Sequence, residues 1–144
     1  MKTSKTLGHV EAQAAIGAIQ SELARRGKVA VIAVADDHGE LVGLLRLDGT
    51  PLPSTTIAAN KAWTAARERK PSWELGIAAR DPKTGFDMAY YGDPRYVGWG
   101  GGVPVVRDGS VVGSVAVSGL TQEEDAELAA MGAAAALEAS RGAS

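Results

Sequence analysis

Asp108-Gly109 stands between two runs rich in valine, residues 103–107 and 110–118, and this constrains the fold more than any other feature. A two-residue loop whose members tolerate positive φ joins antiparallel strands and leaves no room for a crossover helix. A second hairpin pattern precedes it. Residues 29–35 are continuously apolar, as in a strand buried on both faces. Asp36-Asp37-His38-Gly39 has turn chemistry, and residues 40–47 return as the partner strand. A doubly wound parallel sheet requires a helix after each strand, so two tight hairpins argue against it and for a layered α+β structure.

Helices fill the remaining segments. Residues 7–26 place Val10, Ala14, Gly17, Ala18 and Leu23 near helical spacing, with Arg25 and Arg26 suiting the C-terminal dipole and Gly27 as the stop. Ser54 or Thr55 is expected to cap a helix over residues 56–69, closed by Pro71, with a short helix at 72–79. Thr121-Gln122-Glu123-Glu124 is a capping box opening a last helix that runs to about residue 139. Residues 80–102 read as a glycine-rich excursion with one short strand near residues 96–99. The expected order is α-β-β-α-α-β-β-β-α in a single domain over residues 1–144, without internal repeats.

Composition removes several classes of function. The 144 residues carry a net charge of −2, which lacks the basic surplus of a nucleic-acid binder. With no cysteine and only His9 and His38, the chain has no thiolate chemistry and no His-cluster metal site of its own. The apolar run at 29–35 is far short of the ~20 residues that a membrane helix needs. The N-terminus shows no secretory signal pattern. We therefore expect a cytoplasmic protein without membrane or nucleic-acid partners. Alanine accounts for 26 residues and glycine for 18, while aromatics reach only 5%, so each side chain buries little area. Close helix-on-sheet packing and association into a homo-oligomer, a dimer or larger, are the expected compensations.

The candidate chemistry is sparse. Gly98-Trp99-Gly100-Gly101-Gly102 leads into a strand, so it matches neither a dinucleotide fingerprint nor a phosphate loop. It is either a sharp bend or a nest of amides beside a ligand stacked on Trp99. Lys61 shares a helical stripe with Ile57, Thr64 and Glu68, next to a small face of Ala58, Ala62 and Ala65. At the edge of a buried face a lysine can act as base, nucleophile or carboxylate holder, although a solvated or ion-paired lysine is the commoner case. Phe86, Tyr90, Tyr91, Tyr96 and Trp99 gather most of the aromatics in one segment, as a stacking site for a flat ligand or as the core of the excursion. No nucleophile elbow or triad is present.

Taken together, these residues resemble a known family. Ala33-Val34-Ala35-Asp36 with Gly39 and Leu41-Val42 is similar to the AVVDxxGxLV hairpin of the GlcG/HbpS-like family, related to the PduO C-terminal domain. Arg46-Leu47-Asp48-Gly49-Thr50-Pro51 resembles its RMDGAP segment, and Ile57–Ala65 its IAxxKAxTA helix. Gly100-Gly101-Gly102-Val103-Pro104, Asp108-Gly109, Val112-Gly113 and Val117-Ser118-Gly119 complete the match in order. The resemblance implies a profilin-like three-layer α/β/α sandwich with a five-stranded antiparallel sheet. It also implies oligomers and, in some members, haem binding. On this basis the first expectation is a small-molecule receptor, for haem or another flat ligand. Arg46, Thr64, Tyr90, Tyr91, Trp99, Gly100, Gly101 and Gly102 would contact that ligand, and His9 would be the candidate iron ligand. The rival is a cofactor-independent isomerase, cyclase, condensing enzyme or lyase acting on a small carbonyl or aromatic substrate. There Lys61 or Asp36 would be base or nucleophile, Tyr96 acid, and the glycine amides an oxyanion site.

Overall fold

Both hairpins form, and each turn follows from its residues. Asp108 and Gly109 take φ of 51° and 79°, the doubly positive pair that matches the strands' right-handed twist. At the other turn Asp36 Oδ1 accepts from the amides of His38 (2.9 Å) and Glu40 (3.0 Å). The computed structural model describes residues 1–142. In chain order it contains α1 (His9–Arg26), β1 (Val31–Asp36), β2 (Leu41–Arg46), α2 (Ser54–Glu68), α3 (Ser72–Ala79), a 3-10 turn (Met88–Tyr91), β3 (Gly102–Arg107), β4 (Ser110–Ser118) and α4 (Gln122–Gly142).

All strand pairs are antiparallel, in the order β2-β1-β4-β3. The sheet therefore has four strands among the described residues, not the five implied by the family resemblance. The expected strand near residues 96–99 is the point of difference. Its backbone is held by side chains instead of a ladder: Val97 N donates to Thr64 Oγ1 (3.0 Å), and Ser72 Oγ donates to the Trp99 carbonyl (2.6 Å). Those bonds tie the segment to α2 and α3, away from any strand edge.

Alternation along β1 and β4 divides the core. Ile32, Val34, Val115 and Val117 face α1 and α4, packing with Ile19, Leu23 and Leu128. Val31, Ala33, Ala35 and Ala116 face the other way, against Ala58 and Ala62 of α2. This second face is almost all alanine, so the backbone of α2 approaches the sheet closely, and Ser114 Oγ donates to the Ala62 carbonyl at 2.6 Å. On α1 the buried stripe is Ala12, Ala15, Ile19 and Leu23. It is rotated from the expected one, and Val10 is exposed, because α1 must face both α4 and the sheet. Two boundaries also moved: α2 begins at Ser54 after Pro53 with no side-chain cap, and α4 continues to Gly142.

Arg26 joins the end of α1 to the start of α4, bonding Glu22 (2.7 Å), Glu124 (3.1 Å) and Glu127, while Lys28 reaches Glu124 at 2.7 Å. Hydrogen bonds from Arg25 and Arg26 hold the Glu22 carboxyl down at about 2, from an ordinary value of 4.5. A carboxylate with a depressed folded pKa stabilises the fold above its unfolded pKa, and this is lost as pH falls through the folded value. Urea titrations are expected to show stability declining between about pH 4.5 and 2. Glu22→Gln should flatten part of that slope; an unaltered slope would mean that the cluster does not stabilise the fold.

Candidate functional site

Lys61 lies two turns into α2, and its ammonium reaches past the sheet to a residue of α4. Nζ donates to the Val117 carbonyl (3.0 Å) and to Asp125 Oδ2 (3.1 Å), and Lys61 and Asp125 are each only 2% exposed. Since α2 and α4 pack on opposite faces, a bond between them has to pass the sheet somewhere. It passes at the end of β3. Gly102 is the last residue there to pair with β4, opposite Ala116. Beyond it, Val117 N donates to the Gly101 carbonyl at 3.0 Å.

That passage explains the glycine run. A Cβ on Gly101 would lie 2.6 Å from Lys61 Nζ and 2.6 Å from the Val117 oxygen, and its φ is 130°. A Cβ on Gly102 would lie 2.3 Å from the Lys61 carbonyl oxygen. No other residue fits either position without moving backbone. The loop amides are already engaged: Gly100 N donates to Gln122 Oε1 and Gly102 N to Ser72 Oγ, each at 3.0 Å. The run thus serves as a gap for the lysine, and these two amides are not free oxyanion donors.

Burial governs the electrostatics of the pair. Desolvation pushes Lys61 below the ordinary lysine range, and the charge and hydrogen bond of Asp125 offset this in part. Desolvation likewise pushes Asp125 above the ordinary carboxylate range, opposed by Lys61 and by amides of Leu120 and Gly119. Leu120 N donates to Asp125 Oδ1 at 3.1 Å, so both carboxylate oxygens are satisfied.

The pair forms one wall of an open groove of about 400 Å³, with Pro51, Ile57, Leu120 and Trp99 among its apolar sides. Trp99 is 58% exposed at this rim. A wider depression of about 680 Å³ lies at the opposite end of the sheet between the N-terminal segment and the β3–β4 turn. Of its basic groups, Lys2, Lys5 and Arg69 are exposed, where solvent screens them, and the half-buried Arg107 donates to the Ser140 carbonyl at 3.0 Å.

The sequence-derived candidates separate into groups. Lys61, Trp99, Gly100, Gly101 and Gly102 come together around the groove. Thr64, one turn further along α2, is engaged by Val97 N and donates to the Arg95 carbonyl (3.4 Å). Tyr96 is higher still, where its hydroxyl accepts from Arg67 Nε at 3.3 Å. Tyr91 stacks on Phe86 (5.7 Å), meets Tyr96 edge-on (4.7 Å) and donates to Glu68 (3.0 Å), so these rings pack on one another within the excursion, away from the groove. Tyr90 is 87% exposed. Arg46 is exposed at the end of β2 beside a separate hollow. Asp36 pairs with Gly113, four residues along β1 from the Ile32–Val117 pair, about 13 Å away at 3.3 Å per residue. His9 is exposed at the start of α1, close to where Leu7 N bonds the Val112 carbonyl. That is about 16 Å along β4 from Val117. Lys61, Asp36 and Tyr96 therefore do not share one site.

Sequence reasoning missed Asp125, Ser54, Gln122 and Ser118 as groove residues. Asp125 carried a usable signal: it lies on the buried stripe of α4 with Leu128, Ala129, Gly132 and Ala136, where a carboxylate requires a buried partner.

Fold and groove together define a sheet covered by helices on both faces, with a small-molecule-sized recess at one sheet end. A family model described as "Haem degrading protein HbpS-like" matches residues 7–134, and the chain belongs to this HbpS-like family. It is 39% identical to protein GlcG of Escherichia coli K12 over 118 residues, covering 82% of this chain and 85% of GlcG. Among solved structures, protein ORFY of Klebsiella pneumoniae superposes with a TM-score of 0.87 at 28% identity, covering 94% of each chain. The haem complex of PduOC superposes at 0.81 with 25% identity, covering 90% of this chain and 94% of the other.

Removing one partner of a buried ion pair strands the other charge, at a cost of about 3–5 kcal/mol, whereas replacing both by apolar residues is often neutral. Lys61→Met and Asp125→Leu are each expected to lose about that much in urea unfolding, and the double variant to recover most of it. In Lys61→Met the loss should grow as pH rises above the carboxylate range, because an isolated Asp125 then has to ionise in the core. Additive single losses in the double variant would contradict the pairing.

Proposed function

We propose that the chain is an oligomeric small-ligand-binding protein, taking haem or another flat molecule in the Lys61 groove. One observation carries this reading: a buried ion pair forms a wall of a recess that combines apolar sides with a few further polar side chains and has an exposed indole at its rim. Pockets that recognise small molecules combine apolar walls with a few fixed polar groups in this way. The PduOC relative, solved with haem, supports the choice of a flat ligand.

The groove fits a porphyrin's ring better than its iron. Protein ligands to haem iron are His, Cys, Met or Tyr. None of these lines the groove among the described residues. His9 stands at the other end of the sheet. A ring seated here would be held by Trp99 and the apolar walls, without an axial ligand from the same subunit. The exposed apolar side chains Leu52, Trp73, Ile77 and Tyr90 favour association between copies.

Haem titration followed by absorbance tests the proposal. A saturable Soret change is expected that survives His9→Ala and weakens at least tenfold in Trp99→Ala, with light scattering on the same samples giving a dimer or larger. Loss of the change in His9→Ala would move haem to the exposed start of α1. No change at all would remove haem as a ligand, and a stable monomer would overturn the oligomer.

A further inference from the structure

The groove lies where two helices begin. Ser54 opens α2 and Gln122 opens α4, and both line it. A helix start presents unpaired amides and the positive end of the macrodipole, which favour an anion. Only the α2 start is open to one: its first turn contains no acidic residue and receives no side-chain cap, whereas the first turn of α4 carries Glu123, Glu124 and Asp125 and is capped by Thr121.

Buried hydroxyls point to the same ligand chemistry. Ser54 and Ser118 line the groove and are only 3% and 5% exposed. Neither hydroxyl makes a side-chain hydrogen bond among the described residues, and both residues line the recess. Gln122 uses Oε1 to accept from Gly100, which leaves its Nε2 as a donor. Lys61 uses two of its three N–H groups on Val117 and Asp125, leaving the third. Both Asp125 oxygens are occupied. The unengaged side-chain groups here can all donate, and the carboxylate offers no competing acceptor.

Charge and shape narrow the anion. Among the described residues Lys61 is the single cation that lines the groove, already balanced by Asp125, and no arginine lines it. A dianionic phosphate would bring two charges to a site without a free counter-charge, whereas a monoanion is matched by hydroxyls and helix amides. The walls at Pro51, Ile57, Leu120 and Trp99 suit a flat apolar body.

We propose that the groove recognises a flat monocarboxylate, with its carboxylate on the Ser54 and Ser118 hydroxyls and the start of α2 and its planar body beside Trp99. This rests on the groove being the ligand site. Calorimetric titration of the full chain with benzoate, benzamide and inorganic phosphate tests it. Benzoate is expected to bind saturably, at least tenfold more tightly than benzamide or phosphate. In the Ser54→Ala/Ser118→Ala double variant benzoate should weaken at least tenfold while benzamide changes little. Equal binding of benzoate and benzamide would overturn carboxylate recognition and leave the groove as a ligand site. Phosphate binding more tightly than benzoate would overturn the monoanion. Absence of binding by both aromatic probes would overturn the groove reading as well.

Discussion

The ion pair between Lys61 and Asp125 is the constraint around which the rest of the structure is arranged. It joins helices on opposite faces of the sheet, and neither charge can be left alone in the interior. Each neighbour answers to it. Gly101 and Gly102 leave the room that the lysine needs to pass β3, and the turn at Gly119 and Leu120 supplies amides to the carboxylate. Val117 turns a carbonyl to the ammonium. A buried salt bridge of this kind is weak evidence for stability, since an apolar replacement packs as well. Its effect here is positional: it sets the first turn of α4 against α2 and so shapes the groove between their starts.

The small side chains serve the same geometry. With Ala33, Ala35 and Ala116 on one sheet face and Ala58 and Ala62 on α2, the helix lies close enough for the Lys61 backbone to sit against Gly102. Larger residues there would lift α2 and draw the ammonium out of reach of Val117 and Asp125. The aromatic excursion does separate work. Its rings pack on one another and on Trp63, which also carries the Arg95 guanidinium 3.4 Å from its ring centre. This anchors the segment to α2 and delivers Trp99 to the groove rim.

Much of the fold was legible because local signals and tertiary structure agree. Asp108-Gly109 and Asp36–Gly39 specify their turns by backbone chemistry alone, and the alanine face of α2 follows from helical spacing. The supposed strand at 96–99 was not legible, because what decides it is side-chain bonding from Thr64 and Ser72, residues distant in sequence. The site was half visible. Lys61 and the glycine run could be singled out by type, but nothing in their spacing says that the glycines exist to admit the lysine. Asp125 was hidden by its neighbours, since Thr121 and Glu124 read fully as a capping box, and Thr121 Oγ1 does accept from Glu124 N at 3.2 Å. Tyr91 reads from sequence as a ligand contact and Tyr96 as an acid, because an aromatic cluster can serve a site or pack on itself, a choice that only tertiary packing makes.

The most direct test of the central claim is side-chain nitrogen NMR across a pH titration of the chain's six lysines. One ammonium resonance is expected to be protected from exchange, to titrate below the ordinary lysine range and to be absent in Lys61→Met. A Lys61 resonance that exchanges freely with solvent and titrates in the ordinary lysine range would show that Lys61 is solvated and does not reach Asp125 past the sheet.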